Sequence, residues 1–150
     1  MLDFMNITRA LSDENRVRIL MALRKRAFCV CQITALLDLS PSTTSKHLSV
    51  LKQARLIEGK KQGKWVYYSL ANPEKRPPMI GEILDWTQRH LEKEDTILMD
   101  NQIIDRILSE EERLFGICPG EPHDEFHSLE VHSMVTFSEE ESDSNHSDDE

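Results

Sequence analysis

The chain has 150 residues, of which 39% are hydrophobic, so it is long enough for one modest helical domain. No stretch approaches the roughly 18 uninterrupted apolar residues of a membrane span, and no apolar signal-peptide segment opens the chain, so we expect a cytoplasmic protein that does not enter membranes. The net charge of -9 divides unevenly, with +8 on residues 1–76 and -17 on residues 77–150, which predicts a nucleic-acid face in the first half.

The first two predicted helices form the N-terminal part of the domain. Apolar residues recur near helical spacing over residues 2–11, which predicts a first helix. Ser12 or Asp13 can then cap a second helix from Glu14 to about Lys25, whose acidic start and basic end suit the helix dipole.

Two further helices and a short turn resemble a DNA-reading unit. A short apolar helix is predicted over residues 30–37. Ser40 is a good N-cap and Pro41 suits the first helical position, so the next helix runs from Pro41 to Arg55. We expect this helix to bury Thr44, Leu48 and Leu51. Its outer face is polar and basic, which favours a helix-turn-helix.

A β-hairpin follows the second of these helices. Alternating β-branched and aromatic residues predict a strand over residues 65–70. The glycine-containing loop at 59–64 is expected to place three lysines at the hairpin tip, as in the wing of a DNA-binding protein. Trp65 and Tyr68 are expected in the core of the hairpin, whereas Tyr67 on the other face could contact the DNA backbone.

Residues 77–114 carry an apolar stripe at helical spacing, in one helix or in two with a break near Asp95 or Asn101. A stripe of that length has more to bury than so small a domain can cover, so we expect part of it in a dimer interface. The alternative is a helix that packs wholly on its own subunit. Residues 115–150 are acidic with scattered apolar positions, which predicts a disordered tail.

The predicted fold class is therefore mainly α with a small β-hairpin, a winged helix-turn-helix over residues 1–76 that dimerises through terminal helices. Lysines of the second helix-turn-helix helix and of the wing are placed to meet phosphates, and hydroxyl and imidazole groups can reach base edges or backbone. The predicted DNA-binding residues are Ser42, Thr43, Ser45, Lys46, His47, Lys52, Lys60, Lys61, Gln62 and Lys64. For His47, core packing or a phosphate contact is expected ahead of base reading.

The cysteines form the second candidate site. An odd count of three in a chain without an export signal argues against a structural disulfide framework. Cys29 and Cys31, two residues apart, would point about 200° apart on an ideal helix, so a bound thiophilic ion would have to distort the helix start. Cys118 is the one further sulfur that could complete a trigonal As(III) site. Burial of Cys29 and Cys31 as small hydrophobes, and redox sensing, remain alternatives.

Three segments together resemble one family. ALSDENRVRILMAL at 10–23, the CVCQI run, and SPSTTSKHLSVLKQARLIEGKKQGKWVYYSL are similar to the ArsR/SmtB family of metal- and metalloid-responsive repressors, and CVC to its arsenite- and antimonite-sensing branch. The resemblance implies a homodimer on an inverted-repeat operator of double-stranded DNA, released when Cys29 and Cys31 bind As(III) or Sb(III). Thr34 stands where the branch often has a third cysteine.

No cofactor is expected, and no nucleophile-base pair or phosphate loop indicates an enzyme. The alternative function is a winged-helix repressor that senses oxidants or sulfide through cysteine oxidation.

Overall fold

The structure is a computed structural model, and it describes the backbone of residues 1–114 and the side chains of residues 1–110. This part of the chain forms six helices and three strands, and the strands form one small sheet. The elements are α1 (Leu2–Leu11), α2 (Glu14–Leu23), β1 (Phe28–Cys29), α3 (Val30–Leu37), α4 (Pro41–Gln53), β2 (Ile57–Gln62), β3 (Trp65–Leu70), α5 (Pro78–Leu91) and α6 (Asp95–Leu114). The acidic segment 115–150, predicted to be disordered, lies outside the described residues.

Side-chain caps set the starts of two helices, as the sequence predicted. The Asp13 carboxylate accepts a hydrogen bond from the Arg16 amide at 3.1 Å and so begins α2. Ser40 Oγ accepts from the Thr43 amide at 3.2 Å, and Pro41 occupies the first turn of α4. Arg55, with φ of +58°, turns the chain out of α4 into β2.

The sheet has three antiparallel strands in the order β1-β3-β2, so β3 is central. The sequence did not predict β1, because two residues are too few to show an alternating pattern. The turn between β2 and β3 consists of Gly63 and Lys64, and Gly63 adopts a φ of +58° that few other residues tolerate. The prediction that Lys60 and Lys61 lie at the hairpin tip is therefore wrong, because both belong to β2.

The main hydrophobic core joins all the helices to the hairpin. Thr44, Leu48 and Leu51 of α4 are 0–1% exposed, which confirms the predicted buried face. Ile80 and Leu84 of α5 and Ile104 of α6 complete the same core. The C-terminal segment is two helices, and the second begins at Asp95, one of the two predicted break points.

An ion pair anchors α6 to α2. Arg18 donates from Nε and Nη2 to the two carboxylate oxygens of Asp100, at 2.8 and 2.7 Å. Asp100 is 4% exposed, so the pair lies largely out of water. Hydrogen bonding to Asp100 raises the pKa of Arg18, although burial opposes that shift.

The architecture confirms the predicted fold class, a mainly helical winged helix-turn-helix in which α3 and α4 are the helix pair and β2 and β3 are the wing. Among the residues that the structure describes, no helix combines the length and the apolar character needed to cross a membrane.

Candidate nucleic-acid interface and dithiol site

The outer face of α4 carries the first group of predicted DNA-binding residues. Ser42, Ser45, Lys46 and Lys52 are exposed. Thr43 is half-buried, and its hydroxyl lies 2.9 Å from Ser40 Oγ, within the cap of the helix. The face therefore combines two cations with small hydroxyl side chains, a composition suited to phosphates and base edges.

His47 lies on a different side of α4. It is half-buried, and its Nδ1 is 3.6 Å from Oδ1 of Asp13, the residue that caps α2. In the chain without DNA this imidazole lies beside the N-cap of α2, and the expectation of core packing or a phosphate contact ahead of base reading stays a prediction.

The wing supplies the second group of cations. Lys60 and Lys61 are exposed along β2, and Lys64 is exposed in the turn, where its Nζ lies 5.7 Å from the Trp65 ring centroid. Gln62 is half-buried at the end of β2. Helix α4 packs against β2, so the two groups of lysines belong to adjoining elements.

Cys29 and Cys31 lie side by side at the start of α3. Cys29 is the N-cap residue, with the extended torsions φ -79° and ψ 167°, and Cys31 lies in the first helical turn. Their Cα atoms are 5.5 Å apart, and their sulfurs are joined in a disulfide. The prediction that they point about 200° apart is wrong, because Cys29 is outside the helix. The two sulfurs therefore meet without any unwinding of α3.

The two sulfurs differ in their surroundings. Cys29 is 1% exposed and packs with Tyr67, which is 8% exposed. Cys31 is half-buried beside them. The expectation that Tyr67 faces DNA is wrong, because its side chain is buried and packs in the same cluster as Cys29. The alternation in β3 had shown that Tyr67 and Tyr68 face opposite sides, but both sides of this strand are covered.

Thr34 of α3 is hydrogen-bonded to α4, the second helix of the helix-turn-helix. Its hydroxyl donates to Thr44 Oγ1 at 3.1 Å, and Thr44 is fully buried. The helix that begins at the disulfide is thus hydrogen-bonded to the helix that carries the polar face. Sequence patterns gave no signal for this contact, since it joins two residues of different helices.

In the described part of the chain, no three His, Cys, Asp or Glu residues cluster so that they could hold a metal ion. Cys118, the predicted third sulfur, lies outside the described residues. The described site therefore offers two sulfurs at the N-terminus of α3, where a helix favours negative charge.

Comparisons with known proteins show which family the chain resembles. The family model described as "Bacterial regulatory protein, arsR family" matches residues 13–59, from the cap of α2 into the wing. The chain is 46% identical over 63 residues to the cadmium resistance transcriptional regulatory protein CadC of Listeria innocua, covering 41% of this chain and 53% of that protein. The chain thus spans about half the length of that relative.

A longer match extends over most of a second relative. The arsenic resistance transcriptional regulator ArsR2 of Pseudomonas putida is 33% identical over 99 residues, which cover 65% of this chain and 82% of that protein. Among solved structures, the homodimeric winged helix-turn-helix DNA-binding domain Mb0332 of Mycobacterium bovis has a TM-score of 0.52 at 22% identity. The match covers 62% of this chain and 82% of that domain, and it shows the same fold. On this sequence and fold, the chain belongs to the arsR family of bacterial regulatory proteins.

Proposed function

We propose that this chain is a homodimeric transcriptional repressor that binds an inverted-repeat DNA operator and leaves it when Cys29 and Cys31 bind trivalent arsenic or antimony. The observation that carries the proposal is the meeting of these two sulfurs at the start of α3. The same helix is bonded to α4 through Thr34 and Thr44, so the thiol site and the DNA-facing helix form one connected unit.

The exposed lysines support DNA as the partner. Lys46 and Lys52 on α4, with Lys60, Lys61 and Lys64 on the wing, form a basic surface on adjoining elements of a winged helix. Side chains of this kind meet phosphates, and the small hydroxyls of Ser42 and Ser45 on the same helix suit base edges or backbone. Two relatives of this chain, CadC and ArsR2, are named as transcriptional regulators.

Exposed apolar side chains on the terminal helices support the homodimer. Leu2, Phe4 and Met5 of α1 are 75%, 51% and 55% exposed. Leu98 and Met99 of α6 are 46% and 63% exposed. Large apolar groups on two helices are costly in water and are typical of an interface. The Mycobacterium bovis domain with this fold is itself homodimeric.

The inducer chemistry requires the reduced pair. As(OH)3 reacts with two thiols to give two S–As bonds. Each thiol proton combines with one hydroxyl group of As(OH)3, so two water molecules leave. A third bond goes to the remaining hydroxyl, or to Cys118 with loss of a third water. A site limited to two or three sulfurs suits a trigonal ion better than it suits zinc, because zinc prefers four nitrogen or sulfur donors. CadC is named for cadmium, so the assignment to arsenic or antimony rests on this sulfur count and on the CVC pattern.

The disulfide favours a second candidate, a repressor that senses oxidants. The Cα–Cα distance of 5.5 Å lies in the ordinary range for a disulfide, so the backbone at the start of α3 accommodates this bond. Peroxide would take the two thiols to a disulfide, with two waters as the products. Oxidation to this bond would then replace metalloid binding as the signal.

Operator binding by fluorescence anisotropy tests both candidates. The protein itself would first select a duplex from a random-sequence pool, and arsenite and antimonite would then be titrated with a phosphine reductant present. We expect release from wild type and none from Cys29→Ser or Cys31→Ser. Normal release from both variants would place the site elsewhere, and a protein that selects no duplex would overturn the repressor assignment.

Two further arms complete the experiment. Loss of release in Cys118→Ser would identify the third sulfur, whereas normal release would assign the third bond to water or a small thiol. Release by peroxide without reductant, together with no release by arsenite under full reduction, would favour the redox candidate.

A further inference from the structure

The sheet connects the Cys29–Cys31 pair directly to the wing. Cys29 of β1 lies opposite Tyr67 of the central strand β3, and Tyr67 lies opposite Lys60 of β2. Residues directly opposite each other in antiparallel strands project to the same face. Cys29, Tyr67 and Lys60 therefore form one row across the three strands.

We propose that Tyr67 is the positioning residue that transmits the state of the Cys29–Cys31 pair to the wing. The proposal rests on the proposed function, because it concerns how a ligand at the same thiols weakens DNA binding. It replaces the distortion of α3, which the side-by-side sulfurs make unnecessary.

The packing around the sulfurs supports this route. Cys29 and Tyr67 form a small buried cluster with Ala27, Cys31 and Trp65 around them, apart from the main core that holds α4. Packed interiors have little spare volume, so atoms added at one point displace their neighbours. An ion placed between the sulfurs would add atoms to the cluster in which Tyr67 packs with the buried Cys29, and would therefore displace the Tyr67 side chain.

Displacement of Tyr67 has a defined consequence for the wing. Because Tyr67 belongs to the central strand, its backbone is hydrogen-bonded within a ladder that includes β2. A shift in β3 therefore moves Lys60 and its neighbour Lys61, two of the cations that the proposed function assigns to phosphates.

Antimonite makes its two S–Sb bonds with loss of two waters, and nothing else is consumed.

The test compares Tyr67→Val, which removes the ring but keeps a β-branched residue suited to a strand, with Tyr67→Phe, which keeps the ring. Reduced protein, the selected duplex and antimonite alone are used, and antimonite binding is measured separately by loss of titratable thiols. For each variant we compare its DNA affinity without antimonite and with saturating antimonite, and the ratio of the two affinities is the fold-loss. Allosteric couplings are typically about 5- to 150-fold.

We expect Tyr67→Phe to keep the wild-type fold-loss and Tyr67→Val to bind antimonite but retain less than about a fifth of that fold-loss. A wild-type fold-loss in Tyr67→Val would overturn the inference. A wild type that binds antimonite without losing DNA affinity would instead overturn the proposed function.

Amide spectra of wild-type protein without DNA give an independent measurement, which stands even if Tyr67→Val fails to fold. Antimonite is expected to shift the amide resonances of Tyr67, Lys60 and Lys61. Shifts confined to α3 and α4, with none in β2, would overturn the inference whatever the DNA assay shows.

Discussion

Thr34 donates a hydrogen bond of 3.1 Å to Thr44, and this contact joins α3, the helix that starts at the cysteine pair, to α4. Thr44 is fully buried, so its hydroxyl cannot turn to water if that donor is lost. The contact therefore matters for stability as well as for the relative positions of α3 and α4.

A double-mutant cycle measures this contact. Thr34→Val removes the donor and is expected to lower the free energy of unfolding by about 1–3 kcal/mol, because a buried polar group loses its partner. Thr34→Val with Thr44→Val should recover part of that loss, since replacing both partners by apolar groups of similar shape is nearly neutral. Urea denaturation of Thr34→Val, Thr44→Val and the double variant gives the three losses of the cycle, and a double-variant loss equal to the sum of the two single losses would contradict the prediction.

The buried ion pair between Arg18 and Asp100 is expected to hold α6 in place. Asp100→Asn leaves the guanidinium without its charged partner and should lower the free energy of unfolding by about 3 kcal/mol. The raised pKa keeps Arg18 charged throughout the neutral range. Titration of Arg18 should therefore not reduce the stability loss of Asp100→Asn as the pH rises through that range.

Asp105→Asn is the matched control on the same helix. Its partner Lys25 is 3.6 Å away, and both side chains are well exposed, so the expected loss is below about 1 kcal/mol. Equal losses for Asp100→Asn and Asp105→Asn in thermal or urea unfolding would show that burial of the first pair is unimportant.

The wing lysines should contribute to DNA binding through phosphates. Lys60→Gln and Lys61→Gln are each expected to reduce the slope of log affinity against log salt concentration by about 1, without changing sequence preference. Lys75→Gln, an exposed lysine outside α4 and the wing, serves as the control and should leave the slope unchanged. Anisotropy across a salt series measures all three.

The two cysteines should differ in reactivity after reduction. Cys31 is half-buried, whereas Cys29 is 1% exposed. A reagent can therefore reach the Cys29 sulfur only when the surrounding structure unfolds locally. We expect iodoacetamide to alkylate Cys31 at least about tenfold faster than Cys29, as measured by timed quenching and peptide mass spectrometry. The alkylation rates of the two cysteines in urea give the reference for the unfolded chain. Equal rates for Cys29 and Cys31 in the folded protein would contradict their different burial.

The sequence by itself determined the helices, because their signals are local. Ser40 and Pro41 mark the start of α4, and Thr44, Leu48 and Leu51 recur on one face at the period of a helix. The wing was also predictable, since β-branched and aromatic residues dominate β3. The CVC run identified the two sulfurs, but it did not show how they are held.

Tertiary structure alone decided the geometry of the site. Cys29 is extended because it pairs with Tyr67, 38 positions later in the chain, and a two-residue strand leaves no periodic pattern to reveal such a pairing. Tyr67 is buried because β1 and α3 cover a face that alternation alone marked as outer. The bond from Thr34 to Thr44 likewise depends on how two helices pack. Local spacing thus identified the reactive residues, and long-range packing decided what each of them contacts.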